Sequence, residues 1–184
     1  MNAFAFCATY VAICAAAFAM PVILDDNLFS QTIPSFAMLV LFLACLKPAF
    51  FDRQRGSVLL SFLAVIGGLS SLFRWIPMPL GANAFFFLPA MVAHVMGPVF
   101  GTIAAALAML MSGFLGGGIG PWLPYQVLAS GALGMLCGWT AGRAKGWLML
   151  AAAFGALAYG MLMNLWFWPM LDDIEGGYVS FYLT

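Results

Sequence analysis

Long apolar runs alternate with short polar, glycine-rich or proline-rich breaks along the whole chain. The first run extends from Met1 to Leu24 and a shorter one from Phe36 to Phe51, and a polar stretch that opens at Asp25 separates them. A helix that crosses the hydrocarbon of a bilayer needs about 20 apolar residues, with a range of ~17–25. The pattern therefore predicts two transmembrane helices before residue 52, joined by a polar loop over 25–35.

Five further apolar runs follow. They extend over Ser57–Trp75, Ala82–Met96, Val99–Leu115, Trp122–Ala141 and Trp147–Met170. Gly and Pro are the weakest helix formers, so the glycine-rich stretch 116–121 is predicted to be an irregular loop. An acidic tail, Leu171–Thr184, contains no further span. The chain is predicted to be an all-α integral membrane protein with about seven transmembrane helices.

The composition supports a membrane protein and excludes several other classes. Hydrophobic residues make up 65% of the chain and charged residues 7%, whereas a soluble domain carries about 25% charged residues. The formal net charge of zero gives no electrostatic basis for nucleic-acid binding. The four cysteines lie in apolar runs without a C-x-x-C pair, which favours buried apolar residues over a metal site or disulfides. We expect neither a metal nor a cofactor.

The charges predict how the chain is oriented. Lys47, Arg53 and Arg55 lie at or after the end of the second predicted span, and Arg143 and Lys145 follow the sixth. Both spans are even-numbered, so these residues lie on one side, and cytoplasmic loops collect Lys and Arg. We therefore expect a multi-pass protein of the plasma membrane with a cytoplasmic N-terminus and an outside C-terminal tail. The exception is Arg74, which falls on the outer side. The acidic residues predicted to lie outside are Asp25, Asp26, Asp172, Asp173 and Glu175.

Small residues recur at helical spacing in three of the predicted spans. Small residues let helix backbones approach closely in a bilayer, where the hydrophobic effect does not drive helix association. For two of the ridges this predicts packing inside the chain. In the third span Ala64 and Gly68 form a similar pair, for which internal packing and contact with a partner subunit both remain open. The two internal ridges are Ser130, Gly134, Gly138 and Gly142, and Gly97, Gly101 and Ala105.

Polar residues inside membrane spans are costly and are therefore candidates for function. Trp122, Tyr125 and Gln126 are spaced to share one helix face, as are Asn164 and Trp168. Amides beside aromatic rings at the outer surface suggest a ligand pocket, which is typically apolar with a few placed polar groups. An interfacial aromatic belt is the alternative explanation of the aromatic residues. The predicted substrate-binding residues are Asn83, Trp122, Tyr125, Gln126, Asn164 and Trp168.

The remaining polar residues give no catalytic cluster. His94 lies near the predicted cytoplasmic end of the fourth span, and we interpret it as a hydrogen-bonded structural histidine. The stretch 113–120 contains no lysine and so is not a phosphate-binding P-loop. The chain also contains neither an H-E-x-x-H nor a G-x-S-x-G motif. The protein is therefore not expected to be an enzyme.

Four segments after residue 57 carry a family resemblance. Together they resemble the substrate-binding S component of energy-coupling factor (ECF) transporters, and the last is similar to an actinobacterial-type branch of that family. The segments are Arg74-Trp75-Ile76-Pro77, Gly97-Pro98-Val99-Phe100-Gly101, Gly117-Gly118-Ile119-Gly120-Pro121-Trp122-Leu123-Pro124-Tyr125-Gln126 with Gly134, and Tyr159-Gly160-Met161-Leu162-Met163-Asn164-Leu165-Trp166-Phe167-Trp168-Pro169.

The resemblance implies a fold, a function and partners. S components are six-helix membrane proteins that capture a vitamin-like micronutrient at their outer face. They dock on a module made of a transmembrane coupling subunit and two ATPase subunits. Small residues on the first core helix meet the coupling subunit, which implies that role for Ala64 and Gly68. On this basis residues 1–56 are a two-helix membrane extension and 57–184 an S-component-like membrane core.

Two departures from the family pattern qualify these expectations. The spans after residue 57 are expected to supply five of the six core helices that the resemblance implies, and the stretch 171–184 is not expected to supply the last one. The chain begins Met1-Asn2 and not with the Met-His pair of the cobalt and nickel branch, so metal uptake is not expected. Aromatic lining favours a flat, conjugated substrate, of which a corrinoid is one candidate. The alternative function is that of a membrane scaffold or assembly protein with no small-molecule ligand.

Overall fold

The computed structural model describes residues 3–23, 28–45, 53–76 and 84–167. These residues form seven α-helices and a short π-helical turn, with no strand among them. The all-α fold class is therefore confirmed for the described part of the chain. The helices are α1 Ala3–Ile23, α2 Leu28–Cys45, α3 Arg53–Phe73, α4 Phe87–Met96, α5 Pro98–Ser112, α6 Leu123–Gly138 and α7 Lys145–Phe167.

Within the described residues, four helical segments are long and apolar enough to cross a membrane, as expected of an all-α membrane protein. They are Ala3–Met20, Gly56–Phe73, Pro98–Gly117 and Lys145–Asn164. Helix α4 has only 10 residues. At 1.5 Å per residue it spans about 15 Å, half of the ~30 Å hydrocarbon thickness. The described residues contain seven helices in the predicted order. Four of these helices hold the segments above and α4 is too short to be a complete span, so the predicted count of about seven transmembrane helices is not confirmed.

Three helix boundaries differ from the predicted ones. Helix α2 begins at Leu28, so most of the predicted polar loop 25–35 is helical. Helix α3 begins at Arg53, within the predicted loop 52–56. Isolated polar or charged residues do not end a helix, because the backbone hydrogen bonds form whatever the side chain is. Helix α4 begins at Phe87, after a turn over 84–86, and not at Ala82.

Contacts between neighbouring helices define the two ends of the bundle. The rings of Tyr10 and Phe42 pack edge to face, as do those of Phe18 and Tyr125, so α1 runs antiparallel to α2 and ends beside the start of α6. The basic end carries His94, Arg143 and Lys145 and the start of α3. The opposite end, here called the glycine-loop end, carries Arg74 and the segment 113–122. Successive described helices therefore run in alternate directions between these two ends. The assignment of the basic end to the cytoplasm stays a prediction.

Helix α6 lies at the centre of the bundle. Helices α1, α2, α4, α5 and α7 all contact it, and most of its residues are buried. Its closest neighbour is α5. A Cβ added at Gly134 would clash with the carbonyl oxygen of Gly101 and lie 2.8 Å from Cβ of Ala105, and one added at Gly138 would clash with Pro98. The prediction of packing inside the chain is therefore confirmed for Gly97, Gly101 and Ala105 of one ridge and for Gly134 and Gly138 of the other.

The ridge on α6 is shorter than its sequence spacing suggests. Gly142 lies beyond the end of the helix, in a turn where its φ is +75°, and nothing lies within 4 Å of a Cβ built there. Its role is therefore conformational, because glycine adopts positive φ without steric cost. The internal contact ends at Gly138, where α6 itself ends.

The N-terminal helices belong to the same hydrophobic core as the rest of the bundle. The Tyr10 hydroxyl donates a hydrogen bond to the carbonyl oxygen of Leu128, and it occupies the space where Gly131 lacks a side chain. Phe6, Tyr10 and Phe18 are nearly fully buried in the core that includes α5 and α6. The predicted two-helix extension 1–56 therefore contributes, through α1 and α2, to the packing of α6.

The α5–α6 contact makes a direct prediction about stability. Gly134→Ala should lower the thermal stability of the purified protein in detergent, because overpacking a close contact costs about 1–3 kcal/mol. Gly160→Ala is the matched control, since nothing lies within 4 Å of a Cβ at Gly160 and alanine is the better helix former. Equal melting temperatures for the two variants would show that the backbones of α5 and α6 are not in contact.

Candidate functional site

The glycine-loop end is formed by an irregular backbone segment between α5 and α6. Helix α5 continues beyond Ser112 into a π-helical turn, Gly113–Gly117, in which Leu115 and Gly116 leave helical conformation. Gly116 and Gly118 have φ of +116° and +85°, which favour glycine over any residue with a Cβ. The segment 116–121, predicted as an irregular loop, begins within this turn, because the glycines let the chain leave the helix there.

Two tryptophans flank this loop. The ring of Trp75 lies 2.9 Å from a Cβ built at Gly116, and the ring of Trp122 lies over Gly118 and Gly120. Trp75 is 69% exposed and Trp122 is 37% exposed, so both rings keep open surface beside the glycine backbone. Residues with side chains at these glycines would push the rings away. The loop and the two rings therefore present exposed aromatic surface at this end of the bundle.

Arg74 reaches from the end of α3 into the same region. Its Nη1 donates a hydrogen bond of 3.0 Å to Oγ of Ser112 and lies 3.8 Å from Sδ of Met109. A Cβ built at Gly117 would lie 2.9 Å from Arg74 Nη1. Glycine at this position therefore lets the guanidinium approach the backbone of the turn, where the arginine is half-buried.

The charge and the donor geometry of Arg74 suit an anionic partner. A guanidinium presents five N–H donors in a planar fork, and both contacts described above are made by Nη1. A partly buried cation is costly unless it is paired or hydrogen-bonded. The arrangement is therefore suited to a further acceptor such as the carboxylate of a ligand.

A polar layer crosses the bundle interior near Arg74. The Tyr159 hydroxyl on α7 lies within hydrogen-bonding reach of the Ser130 side chain, and its phenol is close enough to Arg74 to interact with the charge. Ser130 Oγ donates to the Gln126 carbonyl oxygen at 2.6 Å. The Tyr159 ring packs edge to face on Phe86, with centroids 5.2 Å apart. Residues from α3, α6 and α7 thus meet below the glycine loop.

The residues predicted for substrate binding on α6 have different environments. Trp122 is exposed on the loop, Gln126 is half-buried, and Tyr125 is fully buried. The Tyr125 ring lies edge to face on Phe18 at 5.4 Å. Tyr125 is therefore a core residue in this structure, whereas Trp122 and Gln126 remain near the polar layer.

Of the residues predicted from the other elements, Asn164 is the one that lies within the described part of the chain. Gly155 of α7 faces Leu133 of α6, since a Cβ there would lie 3.0 Å from Leu133 Cγ. At about 100° per residue, Asn164 lies about 180° around the helix from Gly155, on the side of α7 away from α6. Asn164 is half-buried there. Asn83 and Trp168 lie outside the described residues.

The sequence pattern predicts no function for Arg74, which is only an exception to the predicted distribution of basic residues. Its contact with Ser112 joins residues that are far apart in the sequence, so no local pattern reports it. The available clue was that Arg74 is the single basic residue on its predicted side of the membrane, next to Trp75. At the basic end, His94 Nδ1 lies 2.8 Å from Oγ1 of Thr140, which confirms the prediction of a hydrogen-bonded histidine.

The predicted partner-contact residues lie at the side of α3. Ala64 is exposed, and Gly68 is half-buried with only Cε of Met111 at 4.0 Å from a Cβ built there. Gly67, by contrast, packs against Ala108 of α5. Internal packing in the described structure therefore uses Gly67, and Ala64 points away from it. The role of Ala64 and Gly68 in partner contact stays a prediction.

Comparison of the chain with protein-family models, with curated proteins and with solved structures finds no match.

Proposed function

We propose that this protein is the membrane-embedded substrate-capture subunit of an energy-coupling factor importer. It would bind a vitamin-like micronutrient at the glycine-loop end. The observation that carries the proposal is the half-buried Arg74, held against a glycine-lined turn at the end of the bundle. The four sequence segments that resemble S components support the same function, and two of them form the surroundings of this arginine.

Irregular backbone supports a binding role for this end of the bundle. Non-helical backbone at membrane depth is tolerated where it is buried in protein or lines a cavity. The segment 113–122 supplies such backbone, the exposed rings of Trp75 and Trp122 lie beside it, and a polar layer lies below. Small-molecule sites are usually apolar with a few placed polar groups, which is the composition found here.

The side chains favour an acidic substrate with a flat, apolar body. A guanidinium binds a carboxylate or phosphate through two parallel hydrogen bonds, and this adds geometric specificity to the charge attraction. Trp75 and Trp122 supply faces for a conjugated ring, and Gln126 lies one turn below Trp122. Arg74 would orient the acidic group while the tryptophans hold the ring.

Energy for release would come from partner subunits. In the proposed function Ala64 and Gly68 meet a transmembrane coupling subunit, and two ATPase subunits drive the cycle, so the protein itself is not an enzyme. The exposure of Ala64 on the side of α3 that does not pack on α5 supports this assignment.

A membrane scaffold that binds no small molecule is the second candidate function. It is favoured by the burial of Tyr125 in the core and by the position of Asn164 on the far side of α7. A scaffold needs neither side chain to face a ligand. Binding measurements distinguish the two functions.

Ligand-dependent thermal stabilisation tests the binding site. The purified protein is screened against a panel of acidic and neutral vitamins, since a ligand that binds only the folded state raises the melting temperature. Arg74→Gln and Gln126→Ala should each weaken binding of the hit roughly 5- to 150-fold, the effect of leaving one ligand group unpaired at ~1–3 kcal/mol. The affinity of Arg74→Lys for the hit should lie between those of these two variants and that of the wild type. Lysine keeps the positive charge but lacks the planar fork of N–H donors.

Two further variants serve as controls for this screen. His94→Ala should leave the affinity unchanged, because His94 lies at the basic end. Asn164→Ala, which the sequence alone predicts to weaken binding, should have little effect given its position on α7. If His94→Ala abolishes binding while Arg74→Gln and Gln126→Ala are silent, the site is not at the glycine-loop end.

Docking on a coupling subunit is tested by co-purification. Replacing both Ala64 and Gly68 with Leu should prevent co-purification with a coupling subunit encoded near the gene, because bulky side chains block close helix approach. Ala153→Leu, at an exposed position on α7, is the matched control and should co-purify normally. Undiminished co-purification of the double variant would show that this face of α3 does not make the contact.

A further inference from the structure

A cavity lies at the basic end, away from the proposed substrate site. It is a groove of about 480 Å³ between α4, α6 and α7. Its walls are apolar, with Phe87 and Ala90 on one side, Leu133 at its base and Ala152 and Ala156 on the other side. His94 and Lys145 are the polar residues that line it.

The groove has the length of one lipid leaflet. Along α7 it extends from Lys145 to Ala156, which is about 16 Å at 1.5 Å per residue. Half of the ~30 Å hydrocarbon thickness is about 15 Å. An acyl chain that starts at the membrane surface beside Lys145 would therefore reach the midplane near Ala156.

Tryptophans and basic residues place the polar mouth of the groove at the membrane surface. Trp139 and Trp147 are 51% and 58% exposed on either side of the turn, as expected for aromatic residues at an interface. Lys145 is exposed at the first residue of α7, where the helix dipole also favours negative charge. Arg143 lies in the same turn, and its Nη1 donates to the Trp139 carbonyl oxygen at 2.7 Å.

His94 adds an acceptor at this mouth. The hydroxyl proton of Thr140 is donated to the Cys137 carbonyl oxygen at 2.6 Å, so Nδ1 of His94 is the donor to Thr140. In the neutral ring Nε2 then carries a lone pair. The mouth of the groove thus offers a cation at Lys145 and a hydrogen-bond acceptor at His94.

We propose that this groove binds one anionic phospholipid with a hydroxyl-bearing headgroup, of the phosphatidylglycerol type. The phosphate lies beside Lys145, a headgroup hydroxyl donates to His94, and one acyl chain occupies the apolar groove toward Ala156. Charge complementarity selects an anionic lipid over a zwitterionic one, whose cationic headgroup would approach Lys145. If the basic end faces the cytoplasm, as predicted, the site lies in the leaflet whose surface is negative.

The test compares lipids with the same acyl chains and different headgroups. The purified full-length protein is equilibrated with an equimolar mixture of phosphatidylglycerol and phosphatidylcholine, and native mass spectrometry then counts the lipids that remain bound. The wild type should retain phosphatidylglycerol about fivefold over phosphatidylcholine, as expected for one lysine acting on an anionic lipid. Lys145→Gln should reduce the ratio to near one, and Lys145→Arg should restore it.

Two controls separate this site from general charge attraction. Arg143→Gln removes a cation from the same turn but outside the groove, so it should keep the wild-type ratio. Ala152→Phe fills the groove and should reduce the number of bound lipids of both kinds. A wild-type ratio of one would overturn the proposal. Occupation of the groove by a partner helix or by a second copy of the chain would also overturn it. A loss of preference in Arg143→Gln equal to that in Lys145→Gln would overturn it as well.

Discussion

The direct contact between the backbones of α5 and α6 is the constraint on which the rest of the structure depends. Gly101 and Gly134 meet without side chains between them, and Gly138 meets Pro98 in the same way. Such contacts let dispersion forces hold two helices together in a medium where lipid is as apolar as the side chains. Because five helices pack around α6, its distance from α5 determines where the others can lie.

The same contact positions both ends of the bundle. At one end α5 extends beyond α6 into the π-helical turn, against which Arg74 places its guanidinium. At the other end α6 stops at Gly138, and the following turn places Lys145 beside His94 and the apolar groove. A polar site for an acidic small molecule and a groove for an anionic lipid are thus proposed at opposite ends of one helix pair.

The sequence predicts the helices better than the side-chain surroundings. Run lengths predict the seven helices in order, and the spacing of Gly97, Gly101 and Ala105 predicts the contact with α6, because both depend on local periodicity. The start of α2 and the shortness of α4 are missed, since side-chain polarity does not determine where a helix begins. The position of the Arg74 guanidinium depends on a contact between α3 and α5. The side of α7 on which Asn164 lies depends on how α7 is rotated against α6. The neighbouring residues in the sequence predict neither of these two features.

Binding of a small acidic molecule by the wild-type protein is the central claim, and its most direct test needs no prior choice of ligand. The protein is purified from its native membrane and denatured, and the released small molecules are identified by mass spectrometry. We expect one acidic compound with an aromatic or conjugated body, in an amount close to one molecule per chain. Release of lipid and detergent alone, in repeated preparations from cells grown with vitamins, would contradict the proposed function and favour the scaffold.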